Sequence, residues 1–200
     1  MSHSCGTRRA VTSHFGRQRD AACHIRIEDG RMALEVALDN CVVFDLVEQN
    51  LSENKKKDRL ASERIVELAR DRDNIIEIGQ PLTCSHMEQL HAPGWKRELV
   101  KTTLGDVLKT WPAPHLSESR QKEFECKKKC VKEVMPKRHA GDVDCLMVSR
   151  YSGVAYYITT DYDFLDCFNK RRETIREKCT FDAIVLTPSE FMNKYDTYEV

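Results

Sequence analysis

The chain has no apolar run long enough to cross a bilayer and no apolar stretch of the signal-peptide kind. It has no internal repeat and no low-complexity tract, which sets aside solenoid and linker architectures. It also lacks net charge: 32 Lys and Arg balance 32 Asp and Glu, so bulk charge neither favours nor excludes a nucleic-acid partner. Nine cysteines are scattered without a tight Cys-x2-Cys knuckle, in a chain too long to need a disulfide framework. Cys126 and Cys130 flank Lys127-Lys128-Lys129, whose charge would repel an ion. A zinc site drawing on them and on Cys84, His86, His91, His115 or His139 is therefore not expected. These absences predict a reduced, soluble, cytoplasmic protein with no membrane partner.

What is present is a chain of 200 residues, 40% apolar and 32% charged, which fits one domain with long exposed helices. Charge is unevenly spread. Residues 1–19 carry Arg8, Arg9, Arg17 and Arg19 without an acid, and Lys127 to Lys129, Lys132, Lys137 and Arg138 lie close together. Residues 1–31 have little periodicity and read as a basic, flexible extension or an RNA-contacting arm. Because a regular strand starts directly after Met32, a biological start at that methionine is a further expectation.

From there strands alternate with helices. Ala33–Leu38 reads as a strand, residues 41–48 as a helix, 52–57 as a polar loop and 58–71 as an amphipathic helix. A strand over 74–78 stops at Gly79-Gln80-Pro81, and residues 83–90 form a short helix carrying Glu88. The spacing of Val100, Leu104, Val107, Leu108 and Trp111 predicts a helix, and Ser117 opens a charged one reaching Val134. Residues 91–135 thus form a helical insertion. A helix then ends at Gly153, a buried strand covers 154–158, a helix starts at Phe164, and a last strand, 183–186, leads into a terminal helix. The fold class is α/β with a mainly parallel sheet.

Asp39 and Asp161 each stand just past the carboxyl end of an apolar strand, where open α/β sheets place their crevice. Asp142 opens the helix leading into the second of those strands. If the strands are neighbours the acids converge, and crowded carboxylates need a cation to stay ionised. Oxygen ligands select Mg²⁺ or Mn²⁺, ions that lower the pKa of water and neutralise charge on a phosphodiester. Helix capping is the competing role for Asp142 and for Asp163, while Asp144 and Asp166 read as surface residues. A phosphatase with an Asp nucleophile wants a second Asp two residues on, and Cys41 stands there.

Three segments resemble the PIN-domain nuclease superfamily: residues 36–48, Asp142 to Leu165 with its Thr-x-Asp-x-Asp-Phe ending, and Phe181 to Phe191. The resemblance implies a three-layer fold, residues 32–200 forming the domain, with a helical insertion over 91–135. It places Asp39, Asp142 and Asp161 on metal-binding acids and Asp163 on an accessory one. Glu88 is the candidate for the remaining catalytic acid, with Glu77 as fallback. Asn40 stands where the family has Thr, and is expected to contact RNA beside Lys127, Lys128 and Arg138. The implied activity is metal-dependent endoribonuclease cleavage, with a toxin of a toxin–antitoxin pair as one form. The alternative is a PIN-like RNA-binding or scaffold protein without catalysis. The implied partners are RNA, an antitoxin or other protein, or a second copy in a homodimer.

Overall fold

A computed structural model describes residues 25–28, 31–48, 51–71, 76–81 and 92–196. Strand β2 (Arg31–Leu38) is the centre of the sheet. The alternation of the strand sends Val36 and Leu38 to one face and Ala37 to the other, all three fully or almost fully buried. β3 (Ile76–Pro81) lies parallel on one side of β2, followed outward by β4 (Lys109–Trp111). β5 (Tyr156–Ile158) lies parallel on the other side, followed by β6 (Ile184–Leu186). β1 (Ile25–Glu28) pairs antiparallel with the first half of β2. The chain moves outward from β2 through β3 and β4, then returns to add β5 on the opposite side. The order of connection therefore reverses between the parallel neighbours β2 and β5, the point at whose carboxyl ends open α/β sheets place their binding sites.

Helices α1 (Asn40–Asp45), α2 (Glu53–Arg70), α3 (Gly94–Leu104) and α7 (Pro188–Asp196) cover one face. Their apolar stripes close over Val36, Leu38, Ile76, Ile78, Tyr156 and Ile158. α4 (Glu118–Val134), α5 (Ala140–Tyr151) and α6 (Tyr162–Cys179) cover the other face, packing Phe124, Val143, Leu146, Phe164 and Phe168 around Ala37 and Tyr157. The result is the expected three-layer α/β fold. Among the described residues no helix is long and apolar enough to cross a membrane.

Several local expectations are corrected. The polar run 52–57 is not a loop: α2 starts at Glu53, because lysines are good helix formers and Glu53 pairs with Lys56 one turn on. β3 continues through Gly79-Gln80-Pro81, since glycine there lets Trp111 lie against the backbone. A Cβ on Gly79 would come within 2.7 Å of the Trp111 ring and of the Lys109 carbonyl oxygen. Trp111 itself belongs to edge strand β4, so residues 92–135 are helical only in part. Part of the 1–31 extension is also built into the sheet, as β1; its alternating Ile25-Arg26-Ile27 supplies the strand pattern.

The cysteines are not all reduced. Cys130 of α4 and Cys179 at the end of α6 form a disulfide, and Cys145 is disulfide-bonded as well. Cys41, Cys126 and Cys167 are free thiols. The helix ending at Gly153 is as expected, with the glycine at φ +98°, a value that side chains rarely tolerate.

Candidate functional site

Neighbouring parallel strands carry Asp39 and Asp161 to the same edge. The backbone N–H of Asp39 donates to the Ile158 carbonyl at 2.8 Å, so the β2–β5 ladder runs up to the acid itself. Asp39 precedes α1 as its N-cap: Oδ1 accepts from the Asn40 N–H at 2.7 Å. Oδ2 accepts from the Thr159 hydroxyl at 2.7 Å and faces the Cys41 thiol at 3.3 Å. Asp161 is the N-cap of α6, its Oδ1 accepting from the Phe164 N–H at 2.9 Å. The cap of that helix is therefore Asp161 rather than Asp163. Thr159 joins the two acids, since its oxygen also accepts from the Asp161 N–H at 3.0 Å.

Asp142 lies in the first turn of α5, and its Oδ2 meets Nδ1 of His139 at 3.1 Å. His139 is 3% exposed and packs on the Phe164 ring. One ligand atom from each of His139, Asp142 and Asp161 falls within 4.8 Å of the others. Asp39 adjoins this group closely enough for its charge to act on Asp142. Burial, then the Asp39 charge, push the Asp142 carboxyl above its ordinary range. Burial raises Asp39 too, against the lowering effect of Thr159, Cys41 and Asn40. Burial and the same field hold the Tyr157 phenol well above its ordinary value, and burial together with Asp39 does so for the Cys41 thiol. Among the described residues no Lys or Arg comes within ion-pair distance of Asp39, Asp142 or Asp161. The site thus joins the buried Asp39 to the half-buried Asp142 and Asp161, oxygen donors of the kind that suit a hard divalent cation.

Other expected site residues fall elsewhere. Glu88 and the arginines of residues 1–24 lie outside the described residues. Glu77 sits in register with Glu35, four residues before Asp39, which sets it about 13 Å down the strand. It pairs with Lys109 at 2.8 Å and does not join the acids. Asn40 is 2% exposed and its Oδ1 accepts from Gln80 at 3.0 Å, so the expectation that it touches RNA is corrected: the side chain ties the ends of β2 and β3 together. Asp163 is exposed and holds Arg138 in a two-pronged pair at 2.8 and 3.0 Å. That guanidinium lowers the Asp163 carboxyl below its ordinary range. Lys127 pairs with Glu123, and Lys128 with Glu125. Beside them, Lys128, Lys129, Lys132 and Lys137 line an open groove along α4 that runs to the start of α5.

Sequence reasoning passed over three groups that shape the site. Thr159 bridges two acids, Cys41 packs between Asp39, Thr159 and the Thr160 N–H, and His139 orients Asp142. Only His139 carried a local signal, three residues before Asp142 at a helix start. Behind them, the nearly buried Asp45 accepts from Thr160 at 2.6 Å and from Lys55, anchoring the loop that presents Asp161. Asp58 similarly accepts from the Tyr162 hydroxyl and the Ser189 N–H, fastening α6 and α7 to α2. No protein-family model matches the chain, and no curated protein matches it.

Proposed function

We propose that the chain is a metal-dependent endoribonuclease of the PIN-like kind. The observation that carries this reading is the clustering of Asp142 and Asp161 with His139 at the β2–β5 edge, with Asp39 near enough for its charge to act on Asp142. Asp142 and Asp161 would hold Mg²⁺ or Mn²⁺ with Asp39 beside them, and the bound ion would supply charge neutralisation and acidify water next to the phosphorus. Thr159 and the first backbone N–H groups of α1 and α6 fix the Asp39 and Asp161 carboxylates in place. His139 holds Asp142 in place through Nδ1. The groove along α4, where Lys128, Lys129, Lys132 and Lys137 outnumber Glu125 and Glu133, offers phosphates a basic surface. Its ion pairs are partly exposed and cheap to exchange for phosphate.

The finer form of this reading is a toxin restrained by an antitoxin, in which growth arrest on expression would disappear with Asp142→Asn. The test of the main reading is incubation of purified protein with RNA, with Mn²⁺ or with a chelator, beside Asp142→Asn. Cleavage confined to the metal-supplied native chain is expected; cleavage that survives chelation or the substitution refutes it. A non-catalytic RNA-binding reading draws on Asp39 and Asp161, whose oxygens already carry protein hydrogen bonds. It expects RNA binding without any metal-dependent cleavage.

A further inference from the structure

We infer that His139, Asp163 and Cys167 form a second metal site, for a borderline ion of the zinc type, which adjoins the carboxylate site through His139. Asp163 and Cys167 stand one helical turn apart on α6, so they share a face. One ligand atom from each, with one from His139, lies within 4.8 Å of the others. The independent observation is the His139 ring. It is buried, its Nδ1 is engaged by Asp142 at 3.1 Å, and its Nε2 is buried without a hydrogen-bond partner. Nε2 lies 3.1 Å from Asp163 Oδ2. Two nitrogen or oxygen ligands on one tetrahedral zinc lie roughly 3.3 Å apart, which this approach matches. A carboxylate holding the far nitrogen of a ligating imidazole is the usual support for such a site. Donors of nitrogen, oxygen and sulfur select zinc over magnesium.

Two adjustments accompany binding. The Cys167 S–H bond breaks, its proton passes to the solvent, and the sulfur lone pair forms the metal bond. Arg138, which holds Asp163 and reaches Cys167 Sγ at 3.6 Å, turns outward, as its 60% exposure permits. The inference does not rest on the nuclease reading.

The test is titration of the metal-free full chain with Co²⁺ in buffer without thiol reductant. The expected result is a thiolate-to-cobalt charge-transfer band that Cys167→Ser and Cys167→Ala abolish and Asp39→Asn leaves in place. His139→Gln weakens binding by at least about tenfold. Arg138→Ala tightens it, a gain that a purely structural role for these side chains would not produce. Absence of the band in the native chain overturns the inference. So does a band that persists in a Cys167→Ala chain with native circular dichroism, or an affinity that neither His139→Gln nor Arg138→Ala moves.

Discussion

Replacing Thr159 by Val removes one buried hydroxyl and keeps the shape of the side chain. Thr159 is fully buried, and its hydroxyl donates to Asp39 at 2.7 Å while accepting from the Asp161 N–H at 3.0 Å. A hydrogen bond to a charged acceptor contributes roughly 1.5–3 kcal/mol, and the amide left behind adds to the loss, so a cost of about 2–4 kcal/mol is expected. For a chain of this size that is a fall in Tm of about 4–16 °C, read by thermal unfolding of metal-free protein. The loss must depend on pH. Asp39 has its carboxyl raised by burial, so the folded state binds the extra proton and stability declines as pH climbs through the raised value. The Thr159 bond opposes that rise, and without it the carboxyl moves higher still. The gap between native and variant chains should therefore widen as pH rises through the raised Asp39 value and shrink when Asp39 is protonated. Thr159→Ser, which restores the hydroxyl, should recover most of the loss. A gap that is flat with pH, or one that Ser does not repair, would refute the role assigned to the hydroxyl.

Two further changes probe the frame around the site. Gly79→Ala drives a methyl to within 2.7 Å of the Trp111 ring and the Lys109 carbonyl, and should destabilise by about 1–3 kcal/mol in urea unfolding. Native stability in that variant would mean that β4 does not pack on β3 as described. The Cys130–Cys179 disulfide closes a separation of 49 residues, for which chain entropy predicts about 4 kcal/mol. Cys130→Ser should lower Tm accordingly under oxidising conditions, and an unchanged melting curve would count against the bond.

The acids of the site do different work despite their common chemistry. Asp39 and Asp161 each cap a helix, so backbone N–H groups hold their carboxylates in place without any cationic side chain. Asp142 is held by an imidazole instead. Asp163, nearest in sequence to Asp161, is turned to solvent and neutralised by Arg138. Two residues of helix separate a site acid from a surface one, because successive helical positions point about 100° apart.

Local sequence was enough for the inner strands and for most helices, but not for β1 and β4 at the margins of the sheet. Val36 to Leu38 and Tyr156 to Ile158 are apolar runs that pay off only when covered on both faces, and each is a buried inner strand, while Ile184 to Leu186 extends the sheet to its edge. The placement of Asp39 and Asp161 at strand ends was equally legible, since it needs only the point where apolar character stops. Polarity misled at 52–57, where a solvent-facing first turn resembles a loop, and periodicity misled at Trp111, where residues after Gly105 keep helical spacing on a turn and strand. What tertiary structure alone decided is which polar atoms meet. Thr159 lies 120 positions from Asp39, Lys109 32 positions from Glu77, and Cys179 49 from Cys130. Such pairings follow from strand order and helix packing, long-range choices that no local pattern records. The burial of His139 between Asp142 and Asp163 is of the same kind: a residue's burial is a property of the folded whole, whereas its chemistry belongs to the sequence.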